Sequence, residues 1–192
     1  MSTIRKALPL LAAILAYAGA GTVRGDDPLD GELEIRSAYA VPSHGVIMLS
    51  ARVVYPNSSV LGATLKDGVT LSFDLECLVS RHRRFWFDEE AVSLVRHSEL
   101  SYQVVADRYL LRDVDKGTQE FFPTLEAALV RVGTVDEWPI AVDLMLPADE
   151  EWQISLRAGM RRGHMPDALR ALVFWSDAWH RTSEWYTWTL VR

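Results

Sequence analysis

The sequence has one cysteine, a net charge of −6, and no long apolar run after its first 20 residues. Cys77 alone cannot form an internal disulfide, so the fold must be stabilised by a hydrophobic core. Cys77 falls on the apolar side of an alternating segment, which predicts a buried core residue and not a nucleophile. The negative charge argues against a nucleic-acid partner, because such proteins concentrate positive charge.

Metal-binding and catalytic motifs are also absent. No two histidines have His-x-x-x-His spacing, and no second cysteine is available. No Gly-x-Ser-x-Gly segment marks a serine nucleophile. We therefore assign no catalytic residue, metal site or cofactor from the sequence, although distant residues that converge in the fold escape this argument.

Residues 1–20 have the three parts of a secretory signal peptide. Arg5 and Lys6 form a positive region, Leu8–Ala18 is apolar apart from one proline, and Ala18–Ala20 supplies the small residues of a cleavage site. The apolar part is too short to span a bilayer stably. We predict a periplasmic protein that contacts the membrane only during export.

The predicted cleavage point is after Ala20, with a second candidate after Ala18. An uncleaved anchor is the alternative. Residues 21–30 are predicted to form a flexible mature N-terminus, and residues 31–192 a single β-rich domain, a length that suits one domain.

Most of the remaining chain alternates apolar and polar residues. The clearest example is Val69–Ser80, where only Leu78 breaks the pattern, and it predicts a half-buried antiparallel strand. Two helices are predicted, one near 124–132 and a short one near 58–66. The other predicted strands are residues 32–40, 44–55, 92–105, 109–112, 119–122, 139–146, 152–160, 171–175 and 184–191. About 9–10 strands joined by short turns indicate a mainly β fold, an antiparallel β-sandwich.

The segment Arg81–Glu90 combines basic, aromatic and acidic residues at the end of the clearest strand. Its arginines are suited to bind a carboxylate or phosphate, or to pair with the acids that follow. We favour the pairing, because exposed pairs of this kind are common. The acids suit general acid–base chemistry, but a structural role is favoured: Asp88 is predicted to cap a helical turn that runs to Val92.

Tryptophan is the notable excess, with seven in the chain and four of them in the last 18 residues. Exposed tryptophans often anchor interfaces or stack on sugars, whereas most tryptophans of a sandwich are core residues. We predict that Trp152 and Trp188 are core and that Trp185 faces the opposite side from Trp188. The predicted binding surface consists of Arg81, Arg83, Trp86, Trp179 and Trp185.

The order of these motifs resembles a known family. An Arg–aromatic–Asp-Glu segment ends a strand, Leu100-Ser101-Tyr102 follows in the next strand, Thr124–Leu129 begins a helix, and Ser183–Trp188 lies near the end. This order, over roughly residues 30–192, resembles the DUF4390 family of exported proteobacterial proteins. The resemblance implies export and a link to envelope signalling, through genes often placed beside a sensor histidine kinase. It assigns no catalytic or ligand-binding residue. Phe87 stands where the family commonly has another aromatic residue or a tryptophan.

Three functions compete at this point. The leading hypothesis is a non-enzymatic module that binds an envelope protein through the predicted binding surface. The alternative is a small-ligand or glycan-binding module that uses the same aromatic residues. A hydrolase is less favoured, and a deep pocket with Asp88 or Glu89 beside a histidine would support it.

Overall fold

The structure is a computed structural model that describes residues 31–81, 89–142, 146, 150–163 and 180–191, without the side chain of Glu89. The predicted signal peptide, the predicted flexible N-terminus and the predicted strand at 171–175 lie outside these residues. The described part is mainly β, as predicted, with antiparallel strands arranged in two sheets. The strands are β1 (Glu34–Ser43), β2 (Val46–Val54), β3 (Leu71–Arg81), β4 (Glu89–Gln103), β5 (Arg108–Asp113), β6 (Thr118–Phe122), β7 (Thr134–Val142), β8 (Trp152–Arg162), β9 (His180–Thr182) and β10 (Tyr186–Thr189). The helices are α1 (Ser59–Lys66) and α2 (Leu125–Val132).

The large sheet is built around β3, the strand with the clearest alternation. Its order is β10-β8-β3-β4-β5-β6, and β9 also pairs with β8. Phe73 lies opposite Met160 on β8 and Val79 lies opposite Ile154, so apolar side chains of both strands share one face. Those four side chains are at most 2% exposed. This face forms one half of the core, while the polar residues between them point to the outside.

The small sheet has the order β1-β2-β7. Strands β1 and β2 form a hairpin whose two loop residues, His44 and Gly45, both have positive φ, as a type I′ turn requires. Ile47 and Leu49 of β2 are fully buried and pack with the inner face of the large sheet. The two sheets therefore enclose one hydrophobic core, which is the predicted β-sandwich.

Both predicted helices are present, and their caps follow the sequence. Ser58 caps α1 by accepting the N–H of Leu61 at 3.0 Å, and Thr124 caps α2 by accepting the N–H of Ala127 at 3.2 Å. Helix α1 packs against β4, and α2 packs against β5, β6 and the small sheet. The helices thus cover the part of the large sheet that the small sheet leaves open. Neither helix has the length and apolarity needed to cross a bilayer, within the described residues.

Three local predictions are corrected. Strand β7 begins at Thr134 and not at residue 139, since Pro139 lies inside an edge strand with register shifts, where a missing N–H is tolerated. Glu89–Val92 is the start of β4 and not a helical turn, because these residues pair with the end of β3. The strand predicted at 184–191 is shorter, β10 at Tyr186–Thr189, and the short strand β9 at His180–Thr182 was not predicted.

Candidate functional site

A cleft opens at one edge of the sandwich, where the start of β1 lies beside the break between β9 and β10. It has a volume of about 250 Å³. Leu33 and Ile35 line the β1 side of the cleft, and Trp185 and Tyr186 line the side of the edge strand. We call this the Trp185 cleft, and its remaining lining residues are Glu34, Ser183 and Glu184. Its shape and lining suit an apolar or aromatic group that enters from solvent.

The break between β9 and β10 is a β-bulge. Thr182 lies opposite Gly159 of β8, and Tyr186 lies opposite Leu156. Ser183 pairs with Ala158, so Glu184 and Trp185 face the single residue Arg157 of β8, and two residues opposite one define a bulge. The extra residue displaces Glu184 and Trp185 from the regular strand pattern, and this displacement builds one wall of the Trp185 cleft.

The side chain of Ser183 stabilises this bulge. Its backbone N–H donates to the carbonyl of Ala158 at 2.8 Å, and its Oγ accepts the N–H of Ala158 at 3.0 Å. The same hydroxyl donates to the carbonyl of Glu184 at 2.8 Å. Ser183 is buried, so water does not compete for these bonds. The hydroxyl thus supplies the acceptor that the bulge removes from the strand ladder.

The ring of Trp185 is oriented by an arginine on the outer face of the large sheet. The guanidinium carbon of Arg157 lies 4.4 Å from the ring centroid. Arg157 Nη2 in turn donates to Glu76 Oε2 at 2.7 Å, and Glu76 lies opposite Arg157 in the register of β3 and β8. Contacts of this cation–π type contribute about 0.5–1 kcal/mol at exposed sites. Trp185 is 39% exposed, so its ring keeps an accessible apolar surface while it lies against Arg157.

The rim of the Trp185 cleft is acidic. Arg36 Nε donates to Glu34 at 3.0 Å, and the same guanidinium lies 3.6 Å from Glu32. Two glutamates therefore share one arginine, and exposed Glu184 adds a further negative charge. This balance favours a neutral or positively charged ligand group over an anion.

A second polar cluster lies on the outer face of the large sheet. Asp74 accepts hydrogen bonds from Arg161 Nε at 2.9 Å and contacts His97 Nδ1 at 2.7 Å. Partial burial raises the pKa of Asp74, but the hydrogen bonds and charges of Arg161 and His97 outweigh it and hold the pKa below its ordinary value. Asp74 is thus kept ionised as the hydrogen-bond partner of Arg161 and His97, which suits a structural role and not proton transfer near neutral pH.

A family model described as a domain of unknown function (DUF4390) matches residues 30–189. The chain belongs to the DUF4390 family. The comparison with curated proteins found no match, and neither did the comparison with solved structures. The resemblance inferred from the motif order is therefore confirmed for nearly the whole described domain.

Of the predicted binding surface, Arg81 and Trp185 are among the described residues of this DUF4390 domain. Arg81 lies opposite Trp152 at one end of β8 and its Nη1 is 2.5 Å from Glu150 Oε1. Trp185 lies over Arg157, five positions further along β8, a separation of about 17 Å. These two residues are therefore not in the same cleft. Arg83, Trp86 and Trp179 lie outside the described residues.

The predicted core aromatic residues and the cysteine have the expected environments. Trp152 is 6% exposed, and Trp188 packs against the core on the opposite side from Trp185. Cys77 is fully buried, and this burial raises the pKa of its thiol to about 12. Across the described ranges, no group of three or more His, Cys, Asp or Glu residues is placed to hold a metal ion.

Sequence reasoning missed the residues that give the Trp185 cleft its shape. Leu33 and Ile35 lie in the strand predicted at 32–40 and carry no signal of a binding site beyond hydrophobicity. Arg157 is 28 positions from Trp185 in sequence, so their contact depends on strand register. Ser183 has no cap or turn motif around it, and its role follows only from the bulge.

Proposed function

We propose that this DUF4390 domain is an exported, periplasmic, non-enzymatic module that binds a protein of the cell envelope through the Trp185 cleft. The observation that carries the proposal is the state of Trp185, which is accessible to solvent and yet held by Arg157 at the edge of a cleft. Partly exposed tryptophans of fixed orientation are favoured anchors of protein interfaces, because they lose little conformational entropy on binding.

The chemistry of the cleft limits the kind of partner. The apolar walls of Leu33 and Ile35 accept an aliphatic or aromatic side chain, and the acidic rim favours a basic neighbour. The partner segment should therefore combine an apolar residue with an adjacent lysine or arginine.

Export and the link to signalling rest on other observations. The signal-peptide pattern of residues 1–20 supports a periplasmic location. A partner in envelope signalling is what the resemblance to the DUF4390 family implies. The thiol of Cys77 is buried and weakly acidic, so it is unsuited to nucleophilic attack and is not a candidate catalytic residue.

A glycan-binding module is the second candidate, and one observation favours it. Beside Trp185, the outer face of the large sheet carries hydroxyl groups, including Ser155 Oγ and Thr187 Oγ1, which lie 2.9 Å apart. An aromatic ring next to hydroxyl groups is suited to stack on and hydrogen-bond a sugar.

Affinity purification from the native envelope tests the proposal. The full chain is compared with Trp185→Ala and with a matched control, Val130→Ala, whose side chain is 63% exposed on α2. We expect one protein to be recovered in fixed proportion with the full chain and with the control. Trp185→Ala should reduce the recovered amount of this protein by a factor of about 30 or more, as expected when an interface hot spot is removed. Circular dichroism verifies that both variants fold.

Equal recovery with all three chains would refute the assignment of the Trp185 cleft. Thermal denaturation with a panel of sugars separates the second candidate, since a ligand that binds the folded state raises the melting temperature. A sugar that stabilises the full chain but not Trp185→Ala supports glycan binding instead.

A further inference from the structure

The first strand of the small sheet has a free edge. Strand β1 is the outer member of the order β1-β2-β7, and no other strand pairs with it in the part of the chain that the structure describes. Unpaired strand edges present rows of N–H and C=O groups that can pair with another chain. Proteins usually protect such edges with charges, prolines, bulges or covering elements.

The hairpin register identifies the backbone groups that face this edge. In a two-residue hairpin, the residues flanking the turn exchange hydrogen bonds, and alternate pairs beyond them do not. Ser43 and Val46 flank the turn, so the pairs Ala40–Leu49 and Ala38–Ala51 do not exchange bonds. The N–H and C=O groups of Ala38 and Ala40 therefore point away from β2, to the free edge.

Pro42 agrees with this assignment. It lies opposite Ile47 in a pair that does not exchange bonds, so its missing N–H costs the β1–β2 ladder nothing. Beyond the register shift between Ile35 and Ser37, the chain continues to Ile35 and Leu33 in the Trp185 cleft. The free edge thus leads directly into the cleft.

The other outer strands of the described sheets carry protective features that the middle of β1 lacks. Strand β7 contains Pro139 and two register shifts, β6 has five residues, and the β9–β10 edge is broken by its bulge. In β1, residues 37–41 contain no charge, proline, glycine or bulge. Arg36 at the shift and Pro42 bound this segment, so it can accept a short strand but not an extended one.

We propose that the free edge of β1 takes up an extended segment of the partner protein as a fourth strand of the small sheet. The segment pairs with the backbone of Ala38 and Ala40 and places one apolar side chain in the Trp185 cleft. A basic residue of the segment lies beside Glu34 and Glu184. This inference rests on the proposed function and specifies how the partner is recognised: hydrogen bonds give affinity, and the cleft gives specificity.

The observations favour a partner segment over a second copy of this chain. Self-pairing through residues 37–41 uses an edge of roughly 17 Å by 10 Å per chain, far less than the roughly 1,200 Å² of buried surface typical of a stable interface. Self-pairing also does not use the cleft. The acidic rim complements a basic segment, whereas the chain itself carries a net charge of −6.

The test variant is the double substitution Ala38→Pro with Ala40→Pro in the full chain. It removes the two N–H groups that face the free edge and leaves the β1–β2 ladder intact, as Pro42 already does. The matched control is Ala38→Ser with Ala40→Ser, which keeps both N–H groups. Thermal denaturation verifies the fold of each chain.

The probe is a phage-displayed library of random eight-residue peptides, from which binders to the full chain are selected and synthesised. We expect peptides with an apolar residue next to a basic one. The double proline variant should weaken their binding about 30-fold, as for the loss of two hydrogen bonds, while the double serine variant changes it less than about twofold. In the unmodified chain, the bound peptide should slow hydrogen exchange at the amides of Ala38 and Ala40 at least tenfold.

Strand addition is wrong if no peptide is enriched, if the double proline variant binds the peptides equally well, or if both amides stay unprotected in the complex. Protection of both amides without peptide, increasing with protein concentration, would show that a second copy occupies the edge. In the affinity purification, recovery that is lost with Trp185→Ala but kept with the double proline variant refutes strand addition alone. Recovery that is insensitive to Trp185→Ala refutes the proposed function as well.

Discussion

Replacing Ser183 by alanine should destabilise the fold through one buried backbone group. The hydroxyl of Ser183 accepts the N–H of Ala158, and Ala158 is fully buried in the large sheet. Without the hydroxyl, this N–H loses its partner in a place that water does not reach. A buried polar group left unpaired costs about 1–3 kcal/mol. For a domain of this size, that loss lowers the melting temperature by about 2–12 °C.

Urea denaturation followed by tryptophan fluorescence measures this effect. The midpoint should fall while the slope m stays constant, because the substitution does not change the surface exposed on unfolding. Ser155→Ala is the matched control, since it also removes a serine hydroxyl bonded across the edge strand, but at an exposed pair with Thr187. We expect the control to change stability by less than about 0.5 kcal/mol.

Equal stability of Ser183→Ala and the unmodified chain would refute the role assigned to the hydroxyl. It would mean that the edge strand rearranges into a regular ladder at no cost. The Trp185 cleft would then depend on something other than the bulge.

Three further predictions follow from single sites. A Cβ added at Gly133 would lie 2.1 Å from the carbonyl oxygen of Val53. Gly133→Ala should therefore lower the free energy of unfolding, measured by urea denaturation, by at least about 1–3 kcal/mol. An unchanged free energy of unfolding would contradict this close approach. Cys77 should resist a maleimide in the native chain and react only in denaturant, because burial raises the pKa of its thiol to about 12. Labelling of the native chain at the rate of a free thiol would contradict this buried environment. The pKa of Asp74 is lowered by folding, so its stabilisation is present above its ordinary value of 3.8 and is lost as pH falls through the folded-state pKa. The advantage of the unmodified chain over Asp74→Asn should therefore shrink as pH decreases below 3.8, and a difference that is independent of pH would contradict the ion pairing.

The fold could be predicted largely from local patterns, because the apolar–polar alternation of the strands and the cap residues of the helices agree with the tertiary structure. The alternation of Val69–Ser80 identified the central strand β3, and the cap residues Thr124 and Gly133 bounded α2. Strand limits were less accurate where the backbone is irregular. Pro139 suggests the start of a strand by its residue type, but it lies inside the edge strand β7, whose ladder does not need its N–H.

The candidate site was predictable only in part, because its contacts depend on which residues of neighbouring strands lie opposite one another. The alternation near the C-terminus placed Trp185 on the opposite side from Trp188, and the structure confirms this arrangement. Trp185 contacts Arg157 of β8, which in turn pairs with Glu76 of β3, and no local pattern specifies that these residues are neighbours. The bulge that displaces Trp185 likewise requires the position of β8.

Photo-crosslinking in the native host is the most direct test of partner binding at the Trp185 cleft. A photoreactive residue replaces Glu184 at the rim of the cleft, and the same residue at Val130 on α2 is the control. Our account predicts one adduct of defined mass from position 184, its loss when Trp185→Ala is added, and no such adduct from position 130. An adduct from position 184 that persists with Trp185→Ala, or equal adducts from both positions, would contradict it.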